Sequence, residues 1–191
     1  MLLPDKNLIL EANEILGIDK AFIEKDWFVT QLILSITKHQ SDPRVSLIFS
    51  GGTALSKAHK KISRFSEDVD FRIHSEEKIP RSALSRWRKE LLVHLLKDDW
   101  AVTEEQVIAR DEGRYIVIKI PYPTCFSQHT ALRPELKLEF KARPIQRTPT
   151  ICSVSSLLNE LAKSPSEVSQ IRCLDLTENV ADKLAALAWR V

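Results

Sequence analysis

Apolar positions recur at helical spacing over two N-terminal stretches. Leu8 to Leu16 predicts a short helix, and Asp19 can cap a longer one running to about Lys38, with Phe22, Trp27, Ile33 and Leu34 among its apolar positions. Asp42-Pro43 ends it. An apolar run from Val45 to Phe49 predicts a strand, Thr53 to Lys61 a short helix, and 68–73 a second strand. Pro80 opens a helix to about Lys97, with Leu84, Trp87, Leu91, Leu92 and Leu95 on one face. Trp100–Ala109 and Tyr115–Ile120 read as a hairpin around Asp111-Glu112-Gly113. A loop from Pro121 to Pro134 leads to Glu135–Ala142, where polar and apolar residues alternate strictly. A Pro/Ser/Thr-rich linker is expected over Pro144–Ser155. A helix near Ser156–Lys163, a short strand at Ile171–Leu174 and a last helix, Thr177 to Arg190, follow. In that last helix Leu184, Leu187 and Ala188 are expected to face the core. The order predicts an α+β fold, a mixed β-sheet of strands near 45–49, 68–73, 115–120 and 135–142 with flanking helices. Three regions are expected: a helical segment at 1–43 packed on the core, the core itself at 44–150, and the start of a C-terminal helical region at 151–191.

Composition narrows the class. A chain of 191 residues suits one or two domains with a sizeable core, and a formal charge of +2 carries no global polyanion signature. The basic clusters Lys60-Lys61 and Arg86-Trp87-Arg88-Lys89 read as solvated faces, and the dispersed basic residues offer no acceptor platform. Three widely spaced cysteines, Cys125, Cys152 and Cys173, argue for a reducing compartment and against a disulfide framework or zinc site. The five histidines have no metal-ligand spacing. No apolar run is long enough for a membrane span and no signal peptide is apparent, so a cytoplasmic location is the expectation.

Candidate chemistry concentrates in residues 49–70. A strand ends in Ser50-Gly51-Gly52-Thr53, a helix-like segment follows, and Asp68 and Asp70 stand one residue apart. Paired glycines let a backbone approach a phosphate closely, and the N–H groups opening the next helix attract the anion. Residues i and i+2 of a strand face the same way, so two carboxylates point to one side. Mg²⁺ takes oxygen ligands, often one or two carboxylates plus substrate phosphates. A Gly-Gly pair alone is usually a turn, and Asp-x-Asp alone a solvated edge or helix cap. Their order within one strand–helix–strand unit is what points to metal-assisted chemistry on a nucleoside triphosphate. Glu135, Lys137, Glu139 and Lys141 share one face of a later strand, where a further carboxylate would ligate a second ion or take a proton. Lys57, after the glycines, and Lys183, in the last helix, are candidate phosphate cations, while Arg64 and Arg143 flank the site.

Ser-Gly-Gly-Thr-Ala-Leu-Ser-Lys, Arg-Phe-Ser-Glu-Asp-Val-Asp and the upstream Ile23-Glu24-Lys25-Asp26-Trp27 resemble the AbiEii-type nucleotidyltransferases, toxins of type IV toxin–antitoxin systems in the polymerase-beta-like superfamily. Lys137-Leu138-Glu139-Phe140 with Arg143, and Ala181-Asp182-Lys183-Leu184-Ala185-Ala186-Leu187, fit as well. The resemblance implies a nucleotidyltransferase-like sheet with Asp68 and Asp70 as metal ligands and catalytic residues, and it selects Glu139 over Glu135 as the third carboxylate. Ser50, Gly51, Gly52, Thr53 and Lys57 are the candidate nucleotide-binding residues at the glycine turn, and the resemblance ranks Lys183, which matches the family's triphosphate-binding lysine, above Lys57, for which a solvated helix face is about as good a reading. The resemblance further implies an NTP substrate with Mg²⁺, an acceptor hydroxyl on tRNA or protein, and a cognate antitoxin as partner. Glu24-Lys25-Asp26 is expected to brace the site and Glu67 to form a surface salt bridge. The family continues past the last helix, so a fragment that binds Mg²⁺–NTP but transfers nucleotide poorly is also an expectation. A metal-dependent phosphoesterase or nuclease, or a non-catalytic nucleotide- or partner-binding relative, are the alternatives.

Overall fold

Local signals set the ends of the helices. In this computed structural model, residues 3–39, 42–127 and 129–188 are described. Helix α1 (Lys6–Leu16) starts where the Asp5 carboxylate accepts the Asn7 amide, and ends at Gly17, whose φ of 63° suits glycine. Helix α2 (Lys20–Lys38) is capped in the same way by Asp19, which accepts from Ala21 N. Strand β1 (Ser46–Ser50) runs into a short helix α3 (Gly51–Thr53), which continues as a π-turn over Ala54–Ala58. The expected helix to Lys61 is therefore earlier and shorter. Strand β2 (Asp68–His74) precedes α4 (Arg81–Lys97), which Pro80 opens. Strands β3 (Val107–Arg110) and β4 (Tyr115–Pro121) form the hairpin, and β5 (Glu135–Ala142) follows. The expected strand from Trp100 contracts to β3 because Trp100 and Val102 plug the core at the end of α4, where the Trp100 amide donates to Leu95 O at 2.9 Å.

The expected linker before Ser155 contains a strand, β6 (Thr150–Val154), which pairs antiparallel with β7 (Val168–Cys173) across helix α5 (Leu157–Leu161). Helix α6 (Leu176–Ala188) closes the described chain, and the expected end at Arg190 lies outside the described residues. The seven strands form one mixed sheet in the order β3-β4-β5-β2-β1-β7-β6. β2 runs parallel to β5 and β1 parallel to β7, whereas β1 and β2, β4 and β5, and β3 and β4 are antiparallel. β6 and β7, past residue 150, thus extend the same sheet beside β1.

The sheet has two unlike faces. Phe49, Phe71, Phe140, Ile116 and Leu138 point to one, where they pack with Phe28, Leu32 and Ile36 of α2 and Leu84, Trp87 and Leu91 of α4. Each fully buried Leu, Ile or Phe stabilises by about 1.5–3 kcal/mol, which makes this layer the main source of stability. Trp87 meets Phe140 edge-on at 5.1 Å between ring centres. The opposite face carries Ser50, Asp68, Asp70, Glu139 and Tyr115, because each strand alternates. There, α6 packs through its first turn only. Glu178 and Asn179 are buried, but Leu184 and Leu187 are 62% and 52% exposed. The expectation that Leu184, Leu187 and Ala188 face the core fails for that reason.

Candidate active site

The site begins where β1 turns into α3. Ser50 pairs in register with Asp70 on β2, so the chain passes directly over that carboxylate as it turns. Gly51 sits at φ 76°, and a Cβ on it would lie 2.8 Å from Asp70 Cγ and closer still to Oδ2. Only glycine satisfies both the backbone and the approach. The Gly51 amide donates to Asn179 Oδ1 at 3.0 Å, and Asn179 Nδ2 returns a bond to Gly51 O at 3.3 Å. Gly52 and Thr53 open the helix, where amides lack intrahelical acceptors. A Cβ on Gly52 would meet Ser66 Oγ at 2.9 Å, with Arg64 Nη2 at 3.6 Å. Thr53 is fully buried, with its hydroxyl donating to the Asp68 carbonyl, so it holds the turn against β2 rather than facing the cleft.

The three carboxylates lie on neighbouring strands. Asp68 is opposite Lys137 and Asp70 opposite Glu139. Glu139 is 4% exposed. Its Oε2 accepts from Tyr115 Oη at 2.9 Å and from Lys137 Nζ at 2.8 Å, and Lys141 pairs with Oε1. Burial raises the Glu139 pKa, but the bonds from Lys137 and Lys141 outweigh it and hold the carboxyl at about 2. Among the described residues, Asp70 has no such donors. Burial first, then the Glu139 charge, push its pKa up to about 6. Asp68 pairs with Arg133, and Lys137 Nζ stands 3.6 Å from its other oxygen. Among the described residues, no three His, Cys, Asp or Glu side chains form a ready-made metal cage.

These groups line a cleft of about 660 Å³ that holds Ser50, Gly51, Gly52, Asp68, Asp70 and Glu139, together with Lys183, Asn179 and Asp182 from α6 and Arg143 beyond β5. Arg72 anchors α6 to the sheet, donating to Glu178 Oε1 at 2.7 Å and pairing with Asp182. Lys57 is not brought to the cleft. Its Nζ is bound to Asp26 Oδ1 at 2.5 Å and to Ser155 O at 2.9 Å, on the far side of α3. Asn179 and Tyr115 are cleft residues that the sequence reading did not single out, and Arg133 reaches the cleft's Asp68 without having been singled out either. The alternation around Glu139 already placed Lys137 and Lys141 beside it. Asn179 lies one turn before Lys183, a helical spacing that was readable only once that lysine was placed.

Behind the cleft, three successive residues of α2 each tie down a different segment. Glu24 Oε1 accepts the Cys125 amide at 2.7 Å. Lys25, fully buried, donates to Glu67 Oε2 at 2.5 Å and to Arg133 O at 2.6 Å. Asp26 holds Lys57 and the Leu157 amide. Glu67, half-buried, is therefore the partner of a buried lysine rather than a solvated surface pair, and it fixes the loop that delivers Arg133 to Asp68.

The chain matches the family profile described as nucleotidyl transferase AbiEii toxin, type IV TA system, over residues 34–191. No curated protein matches it in sequence. Among solved structures it is similar to MenT4, a nucleotidyltransferase toxin from Mycobacterium tuberculosis H37Rv, with a TM-score of 0.56 and 19% identity. That match covers 96% of this chain and 59% of the MenT4 chain, so the likeness is one of fold and this chain spans less than two thirds of that relative. No described helix is long and apolar enough to cross a membrane.

Proposed function

Because this chain belongs to the AbiEii nucleotidyltransferase toxin family, we propose that it transfers a nucleotidyl group from an NTP to an acceptor hydroxyl, on tRNA or on a protein. The observation that carries this reading is the passage of the Gly51 backbone over Asp70. A phosphate lying along that backbone is held within reach of a carboxylate pair. Asn179 keeps the turn in place, and Lys183 supplies a cation from the same helix.

Asp68 and Asp70 are hard oxygen donors, with the glycine turn beside them, and they suit Mg²⁺. Two carboxylates plus phosphate oxygens from the NTP would complete its coordination. When bound, the ion neutralises charge on the transferring phosphate and on the pyrophosphate leaving group. The protein residues contribute position and electrostatics. The new bond joins the acceptor oxygen to the α-phosphorus, and the bond to pyrophosphate breaks. Glu139, held at a pKa of about 2, is a weak proton acceptor at neutral pH. Of its two expected roles, a permanently ionised ligand therefore fits better than a general base. Family membership also supports a cognate antitoxin as partner, and a cytoplasmic setting supplies NTP, Mg²⁺ and acceptor together.

Incubation with α-labelled and, separately, γ-labelled NTPs, Mg²⁺, total RNA and lysate protein tests the reading. Label should enter a macromolecule from the α-position only, and the Asp68→Ala/Asp70→Ala variant should lose it. Transfer from the γ-position, or release of free mononucleotide without a labelled acceptor, would overturn it.

A further inference from the structure

The strand that carries the Gly51 turn starts beside a second cavity. β1 runs parallel to β7, but the two pair only at Phe49 and Cys173, one residue before β1 ends. On its other side β1 pairs with β2 along all of Ser46 to Ser50. The sheet is therefore open between β1 and β7 toward the start of β1. Residues 45–47 and 170–172 line a cavity there of about 510 Å³, together with Ile36 and His39 from the end of α2 and with Phe71 and Trp87. That volume lies in the range of small-molecule sites. The cavity shares no lining residue with the cleft.

Its polar groups are few and unlike one another. His39 Nε2 is buried and, among the described residues, makes no hydrogen bond. A buried polar atom without a partner costs stability, which a ligand that bonds to it recovers. Burial first, then the neighbouring His94, hold the His39 pKa down to about 4, so the imidazole is uncharged near neutrality. Its Nε2 then accepts or donates one hydrogen bond, according to the tautomer. The His39 ring stands 6.0 Å from that of Trp87, at 61°. Arg172 supplies a cation. Its Nη1 donates to Ser46 Oγ at 3.0 Å, and among the described residues it pairs with no carboxylate. Asp42 also lines the cavity, but Arg44 holds both of its oxygens. An aromatic wall, a bare buried nitrogen and an uncompensated guanidinium thus meet in one cavity.

We propose that the opening between β1 and β7 is a binding site for a small aromatic carboxylate with a ring N–H, its ring against Trp87 and Phe71, its N–H on His39 Nε2 and its carboxylate on Arg172. The guanidinium fork matches the two oxygens of a carboxylate. An aromatic body gains edge or offset contact with Trp87 and Phe71 beyond the area it buries. A neutral ring would leave Arg172 uncompensated, and an aliphatic acid would leave His39 bare, so the two groups together define the class. The site lies at the end of β1 opposite the Gly51 turn and stands independently of the nucleotidyltransferase reading.

Indole-3-acetate is the probe, titrated calorimetrically into the full chain, with indole-3-acetamide as the neutral comparator and hexanoate as the aliphatic one. Wild type should bind the probe with a Kd of about 1 mM or tighter, within reach of a fragment-sized ligand. Each comparator should bind at least about 10-fold more weakly. In amide NMR spectra the probe should shift residues 45–47 and 170–172 most. Arg172→Met should bind the probe about 10-fold more weakly and His39→Phe about 5-fold. Lys38→Met removes an exposed cation next to His39 that does not line the cavity, and should bind the probe like wild type. If His39→Phe fails to fold, Arg172→Met, at an exposed position, carries the test. No binding to wild type, wild-type affinity in Arg172→Met, an equal loss in Lys38→Met, equal affinity for either comparator, or amide shifts centred on the cleft would each overturn the assignment. None of these results bears on NTP binding, which is measured separately.

Discussion

Asp70 is the side chain on which the electrostatics of the cleft turn. Its folded pKa of about 6 lies above the ordinary 3.8, so the native state holds this proton more tightly than the unfolded chain does. The stability it contributes is complete below about 3.8 and is lost as pH rises through about 6. Asp70→Asn should therefore flatten the metal-free stability curve across that window. Urea unfolding of both proteins between these limits reads the difference directly, and parallel curves would place the Asp70 charge outside the buried cluster. Above pH 6, added Mg²⁺ should restore the stability that wild type has lost across that window and leave the variant unchanged. Lys183 belongs to the same scale. If it meets the triphosphate, Lys183→Ala should weaken binding of a non-hydrolysable NTP by about 1–3 kcal/mol, measured by calorimetry. Unchanged affinity would make it a solvated residue of α6.

At the scale of elements, α2 is both a core helix and the brace of the site. Its apolar residues cover the sheet, while Glu24, Lys25 and Asp26 reach the 125 loop, the Glu67–Arg133 corner and the turn after α3. Lys25→Met would take from Glu67 its closest cation and leave two carbonyls, those of Arg133 and Glu135, without this donor. The expected loss is about 3–5 kcal/mol, against less than about 1 kcal/mol for Lys60→Ala, whose pair with Glu160 is solvated. Denaturant midpoints of the two variants make the comparison, and equal effects would mean that Lys25 is no buried anchor. The motif was legible in the sequence as a polar triplet within an apolar helix, but its three partners were not, since each lies at least 31 positions away. Local signals fared better. Asp19 and Pro80 open helices where expected, and the alternation in Glu135–Ala142 gave the faces of β5 correctly. β6 was missed because Thr150–Val154 carries little apolar pattern, with Ile151 on its exposed side. It is a strand because β7 offers it a partner.

For the molecule as a whole, the sequence indicated an α+β class and most of the strands, but not their order. The parallel pairing of β2 with β5, which sets Asp70 beside Glu139, joins segments about 69 residues apart and leaves no local mark. The same holds for Lys57 and Lys183. Both are helix lysines near a candidate motif, and only the tertiary fold turns one toward Asp26 and the other toward the cleft. The central claim remains local, that the Gly51 turn against Asp70 is built to hold a metal-bound triphosphate. Calorimetric titration of an NTP into the chain, with Mg²⁺ and then with excess EDTA, measures it most directly, with Gly51→Ala run alongside as a folded comparison. Wild type should bind in Mg²⁺ and lose binding in EDTA, and Gly51→Ala should bind more weakly by at least about 10-fold, or 1.4 kcal/mol. Equal affinity with and without Mg²⁺, or a folded Gly51→Ala variant that binds NTP as wild type does, would contradict it.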